Sequence, residues 1–382
     1  MGAKTRLILI KVLLVGVLVS MLFTGCATKQ SATIKVGVIV PLTGSVPAFG
    51  ASARNGCEMA VNEVNAKGGV LGKTVEMIVA DDKNDVTEGV NAAQKLIYEE
   101  NVIAITGVPL SRVELPVAEI CQVTGTPMIS SVATNPMVTE VGDYIFRACF
   151  IDSFQGTIAA DFAFNSLKTK KVGVLYDYGD AYAKGLAEFF QKQFLALGGT
   201  ITAFEAYPTG AVSFTSYLKP ILAQKPEAIF CPNLYADDAL IAKEARGLGY
   251  TGPFVGGDGW DSPDLFKIGK DAVNNTYFVN HFSKDDASPD VQTFVKNYTA
   301  KYGEAPDVEA VLDYDAMRLL LQAIQNAGST DGANIRDSMK NIEYHGITGL
   351  IKFDKNRNPI KSAVIIKIEN GRQVYVTTIN PQ

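Results

Sequence analysis

Histidine is almost absent: the 382 residues contain only His281 and His345, far apart along the chain. A serine–histidine–acid triad needs one of them beside a nucleophile, and no G-x-S-x-G elbow is present. Cysteine is scarce too. After Cys26 there remain Cys57, Cys121, Cys149 and Cys231, none in a CxxC pair, which argues against a structural zinc site. Each sits in an apolar pattern, the usual setting of a buried free thiol, and pairing among them stays open. Positive charge is not in excess. With 35 Lys and Arg against 40 Asp and Glu, the net charge of −5 gives no electrostatic case for nucleic acid. A G-x-G-x-x-G fingerprint is missing as well. Gly68–Thr74 (GGVLGKT) imitates a phosphate-binding loop, but Lys67 stands where that motif needs its first glycine, and a helix rather than a strand precedes it. Asp81-Asp82, at a strand end, reads as a loop or capping pair. Neither enzyme chemistry nor a cofactor or metal is expected.

What is present begins with the leader. Lys4, Arg6 and Lys11 precede an apolar run, Val12–Phe23, that is too short for a comfortable membrane-spanning helix. Small residues and Cys26 follow, the order of an export signal. Leu22-Phe23-Thr24-Gly25-Cys26 resembles a bacterial lipobox, with Phe23 where the pattern prefers leucine. That resemblance implies a signal peptide over residues 1–25, lipid on Cys26 and a polar tether over 26–32. A composition of 47% hydrophobic and 20% charged residues is that of a folded globular protein, and the length suggests about two domains.

From Thr33 onward, short β-branched runs alternate with amphipathic segments. Ile34–Val40, Val75–Ala80, Val102–Gly107 and Pro127–Ser130 read as strands, with helices between them through Cys57–Val64, Gly89–Glu99 and Pro116–Gln122. The same grammar restarts at Lys171–Tyr176 and continues through Ala228–Cys231 and Pro253–Gly257. Helices at Pro289–Tyr302 and Glu309–Ala327 follow. Leu350–Asp354 and the alternating pattern through Val376 predict an antiparallel hairpin closing a sheet edge. Near-continuous apolar strands point to parallel sheets covered on both faces. The fold class is therefore α/β, with two doubly wound, Rossmann-like lobes.

Ligands in such sheets bind beyond the carboxyl ends of the strands, which selects the loops Pro41–Gly50, Gly107–Val113, Ser130–Pro136 and Gly256–Asp261. Ser111 places a hydroxyl at a predicted helix start, where free amides welcome a carboxylate. Ser130–Pro136 (SSVATNP) is a second hydroxyl-rich loop, and Asp258 stands between glycines after a strand.

At this point the chain resembles the periplasmic leucine/isoleucine/valine-binding proteins of branched-chain amino acid transport. The resemblance runs from about residue 33 to 380 and is carried by Ile34–Gly50, Ala60–Gly72, Ser130–Pro136, Asp177–Leu186 and Gly256–Asp261. It implies a type 1 periplasmic binding protein: lobes of 33–150 plus 283–350 and 151–282 plus 351–382, joined by a multi-strand hinge near Phe150–Ser153, Asn280–Ser283 and Leu350–Ile360. It further implies a carboxylate cradle at Ser111 and Thr134 with the Val132 backbone nearby. Tyr182 corresponds to a tyrosine closing over the ligand, Tyr235 and Phe49 to wall positions, and Asp258 to the acid pairing with the ligand ammonium. Pro109, Leu110 and Trp260 depart from relatives, and Arg112 reads as a solvent-facing residue, with an acidic ligand side chain as its alternative partner. An aliphatic amino acid is the first expectation, with aromatic or amide-type ligands next. The implied role is the solute-binding component of an ABC importer, exported, monomeric, anchored to a membrane and partnered by a permease. A ligand-sensing receptor is the alternative.

Overall fold

The computed structural model describes residues 33–381; the leader, Cys26 and most of the tether lie outside them. The first sheet contains β1 (Ile34–Val40), β2 (Val75–Asp81), β3 (Ile105–Gly107), β4 (Met128–Ser130) and β5 (Ile145–Arg147). Its order is β2-β1-β3-β4-β5, with every pairing parallel. The helices α1 (Pro47–Ala66), α2 (Val86–Tyr98), α3 (Ser111–Thr124) and α4 (Met137–Glu140) connect these strands. Because β1 has β2 on one side and β3 on the other, the strand order reverses there. The crevice beyond the ends of β1 and β3 is thus a natural binding place.

After α5 (Asp152–Asp161) a second sheet repeats the scheme. It comprises β6 (Lys171–Asp177), β7 (Thr200–Tyr207), β8 (Ala228–Phe230), β9 (Phe254–Gly256) and β10 (Thr276–Asn280) in the parallel order β7-β6-β8-β9-β10. Its helices are α6 (Ala181–Ala196), α7 (Thr215–Ala223), α8 (Tyr235–Gly247) and α9 (Pro263–Gly269). The chain then returns to the first sheet as α10 (Pro289–Tyr302), α11 (Val308–Ala327) and α12 (Gly332–Lys340). Leu319, Leu320 and Ile324 of α11 join Val36, Val38 and Ala60 in one core, each large side chain contributing about 1.5–3 kcal/mol. Ile39, Leu96, Val113 and Val117 form the core on the opposite face of the sheet.

The C-terminal portion differs from the sequence expectation in one respect. β12 (Gly349–Lys352) pairs with β11 (Glu343–Gly346) in a separate ribbon rather than with the large sheet. Buried Asp315 of α11 accounts for this. Its carboxylate accepts hydrogen bonds from Ile347 N (2.8 Å), Thr348 N (2.8 Å) and Thr348 Oγ1 (2.5 Å), fixing the turn between the two strands. The predicted closing hairpin is formed instead by β13 (Ala363–Glu369) and β14 (Arg372–Ile379), which extend the second sheet from β10. Asn370 and Gly371, at φ 52° and 70°, supply the left-handed pair that a two-residue hairpin turn needs.

The chain passes between the two sheets after β5, after β10 and between β12 and β13. These passages touch one another. Phe150 and His281 stack with ring centroids 3.5 Å apart, and Lys361 Nζ donates to Ala148 O at 3.0 Å. Cys57, Cys121, Cys149 and Cys231 are all buried free thiols.

Candidate functional site

The first-sheet rim depends on an abrupt turn after β3. Gly107 has φ 90°, and a Cβ there would sit 2.6 Å from Ile39 O. Val108 follows at φ 53°, where a β-branched residue carries roughly 1–3 kcal/mol of strain. Its burial and its N–H bond to Ile39 O (2.6 Å) hold it there. The turn brings Ser111 to the cavity as the first residue of α3. No side chain caps this helix, and although Val113 N donates to Leu110 O (3.0 Å), the Ser111 and Arg112 amides at its start remain available to an anion. Ser111 Oγ accepts from Asn135 N at 3.3 Å, tying α3 to the neighbouring loop.

That loop is held from beneath by Arg147, which is fully buried. Its Nη1 donates to Ala133 O (2.6 Å) and its Nη2 to Asn135 O (2.7 Å). Ser130 Oγ adds bonds to Glu114 Oε2 (2.7 Å) and Ala133 O (3.2 Å). Val132 and Thr134 consequently face the same cavity as Ser111.

The second-sheet rim is assembled from side chains. Asp180 caps α6 by accepting from Tyr182 N (2.8 Å) and Ala183 N (3.2 Å), which aims Tyr182 inward. The Tyr182 hydroxyl accepts from Gly259 N at 3.2 Å. A Cβ on Gly257 would lie 2.5 Å from that hydroxyl, so only glycine leaves it room. Asp258 opens a single helical turn, Asp258–Trp260, and its Oδ2 lies 2.9 Å from His281 Nε2. Both residues are buried, and His281 Nδ1 has no partner. Burial pushes the imidazole pKa down against the opposing pull of Asp258, so neutral His281 donates from Nε2 to the carboxylate.

Phe49, Ser111, Val132, Thr134, Tyr182 and Asp258 thus line one cavity. Tyr235 does not line it. It stands behind Phe49, edge to face, with centroids 4.8 Å apart. Trp260 points away into the second core and donates to Cys231 O at 2.8 Å. Arg112 is turned toward the Asn84 carbonyl, beside an adjoining pocket. Of the two histidines, His345 is exposed on β11, whereas His281 lies at the junction between the sheets.

Other lining residues had no sequence signal of their own. Glu309 was legible only as the start of a helix, Asp180 only as part of a shared stretch, and Leu234 not at all. Glu309 arrives from 51 residues beyond Asp258 (309 − 258), and only the return of α11 to the first sheet reveals it. Among the described residues no helix is long and apolar enough to cross a membrane.

Comparison with known proteins agrees with this architecture. The family model described as periplasmic binding protein matches residues 33–373. The Leu/Ile/Val-binding protein BraC3 of Rhizobium johnstonii is 33% identical over 310 residues, covering 80% of this chain and 83% of that protein. The crystal structure of the leucine-binding protein LivK from Thermotoga maritima is 38% identical with a TM-score of 0.87, over 91% of this chain and 99% of that one. LivJ from Streptococcus pneumoniae, solved in complex with isoleucine, is 31% identical with a TM-score of 0.87, over 92% and 100%. A solute-binding protein of Rhodopseudomonas palustris BisB5, in complex with 3,4-dihydroxybenzoic acid, is 26% identical with a TM-score of 0.83, over 91% and 97%. The chain belongs to the periplasmic binding protein family, and within it to the group of the Leu/Ile/Val-binding proteins.

Proposed function

We propose that this protein is the substrate-binding component of an ABC importer that captures a zwitterionic α-amino acid between its two lobes and delivers it to a permease. The observation that carries this reading is one cavity with opposite chemistry on its two rims. Ser111, Thr134 and the start of α3 supply donors on one rim, and Asp258 supplies a carboxylate on the other. Such a pair matches the two charges of an amino acid, and withdrawal from water strengthens both contacts. The names and ligands of BraC3 and LivJ support the same class.

On this reading the lobes are 33–150 plus 283–360 and 151–282 plus 361–382, the last boundary moved from the expected 350 because Ile351 and Phe353 pack in the first core and Arg357 Nε donates to Ile145 O at 3.0 Å. The passages at Phe150, His281 and Lys361 form the hinge. Cross-lobe contacts such as Asn135 Nδ2 to Ala181 O (2.9 Å) belong to the closed form. Ligand favours that form because only there do both rims touch it. The protein works outside the cytoplasm as a monomer, anchored by lipid on Cys26, and performs no catalysis. Thermal unfolding against a full panel of L-amino acids tests the proposal. A ligand at 100 times its Kd stabilises the fold by about 2.7 kcal/mol. A panel that shifts no melting temperature and releases no calorimetric heat defeats it.

A further inference from the structure

A zwitterion uses Ser111, Thr134 and Asp258 but gives no task to Glu309. This side chain lines the cavity, its residue is 2% exposed, and its Oε2 has no hydrogen-bond partner. Its placement is firmly built. Asp307 caps α11 by accepting from Ala310 N (3.0 Å), Ser52 Oγ donates to Asp307 Oδ2 (2.7 Å), and Asp261 Oδ2 accepts from Val308 N (3.0 Å). These bonds fix the helical turn from which Glu309 projects. The charges acting on it come from Asp313, Asp307, Asp258 and Asp261, all acids, and burial before all else pushes its carboxyl well above the usual range. Asp258 differs, because His281 partners one of its oxygens.

Burial without a donor is what favours the protonated carboxyl, and a ligand that brings N–H donors removes that penalty and favours the ionised, acceptor-only form. A purely aliphatic side chain brings none. The rest of the lining, with Phe49, Pro109, Leu110 and Leu234, suits a run of methylenes. We infer that Glu309 is a specificity-determining residue, which selects an amino acid whose apolar stem ends in N–H donors over a wholly aliphatic one. This inference rests on the amino-acid reading of the same cavity and names the ligand class within it.

Calorimetric titration of the full chain with L-lysine, L-glutamine and L-leucine provides the test, using wild type, Glu309→Gln and Glu309→Leu. The backbone zwitterion is the same in all three ligands. Wild type is expected to hold lysine or glutamine at least about tenfold more tightly than leucine. Tighter lysine identifies an ammonium head and tighter glutamine an amide head; either order supports the inference. Glu309→Leu should abolish the preference, while Glu309→Gln should weaken the favoured ligand and spare leucine. Leucine binding best to wild type overturns the inference but leaves the amino-acid reading intact. Equal weakening of all three ligands in Glu309→Gln also overturns it, since Glu309 then serves the α-ammonium group. If no amino acid binds at all, both readings fall. Should Glu309→Leu not fold, the wild-type order and Glu309→Gln decide.

Discussion

The two rims of the cavity sit on sheets whose five parallel strands run in the same order, yet they are built by different means. The first rim uses backbone: a strained turn at Gly107–Val108, an uncapped helix start at Ser111, and a loop whose carbonyls Arg147 grips from below. The second uses side chains: Tyr182 aimed by the Asp180 cap, and Asp258 partnered by His281. The fold supplies the same crevice twice, so the difference lies in loop chemistry. Backbone amides are neutral donors that need only correct aim. A buried carboxylate must also be supported against desolvation, and that support comes from remote parts of the chain.

This contrast predicts where damage falls. Asp258→Ala should weaken amino-acid binding by roughly 2–5 kcal/mol, because a buried ammonium loses its counter-charge. Calorimetry that finds unchanged affinity would place Asp258 outside the ligand's reach. On the first rim the largest effect should be on the fold. Arg147→Ala removes two charge-assisted bonds to carbonyls and should cost about 3 kcal/mol of stability in denaturant titration. Full stability in that variant would mean that the Ser130–Pro136 loop keeps its shape unaided.

The acids at the start of α11 give a pH signature. Burial raises the Asp307 pKa to about 8, opposed by its bonds to Ala310 N and Ser52. A carboxyl raised on folding binds more protons in the native state, so its stabilising contribution is complete below the unfolded value near 3.8. That contribution fades as pH rises through about 8. Melting temperature should therefore decline between pH 5 and pH 8. Asp307→Asn, which can still cap the helix, should flatten that decline by about 2–4 °C. An equally steep profile in the variant would assign the slope to other groups. The smallest effect is expected at Tyr235. Since Phe49 lines the cavity and Tyr235 packs against Phe49 without lining it, Tyr235→Phe should alter affinity by less than about 0.5 kcal/mol. A tenfold loss would show the hydroxyl reaching the ligand after all.

Much of the architecture was legible in the sequence because buried parallel strands leave continuous apolar runs such as Ile34–Val40 and Lys171–Tyr176. The strand-end rule then pointed to Ser111, Asp258 and the Ser130–Pro136 loop, and the family resemblance to Val132 and Thr134 within that loop; all four residues share the cavity lining. Side-chain direction was not legible. Trp260 and Asp258 are two residues apart, yet one fills the second core and the other faces the cavity, and only the short turn joining them decides which. Partners brought together by topology were equally hidden. Nothing local marks His281 as the support of Asp258, or Asp315 as the anchor that draws β12 away from the large sheet.

A cavity that reads two opposite charges at once must tell apart ligands that differ in one of them. The measurement is a calorimetric titration of the full chain with the L-amino acid that binds best and with its deaminated analogue, which keeps the carboxylate and side chain. The amino acid should bind, and loss of the ammonium group should cost roughly 2–5 kcal/mol, at least about thirtyfold. Equal affinity for the deaminated acid would contradict it, because the Asp258 rim would then have no part in recognition.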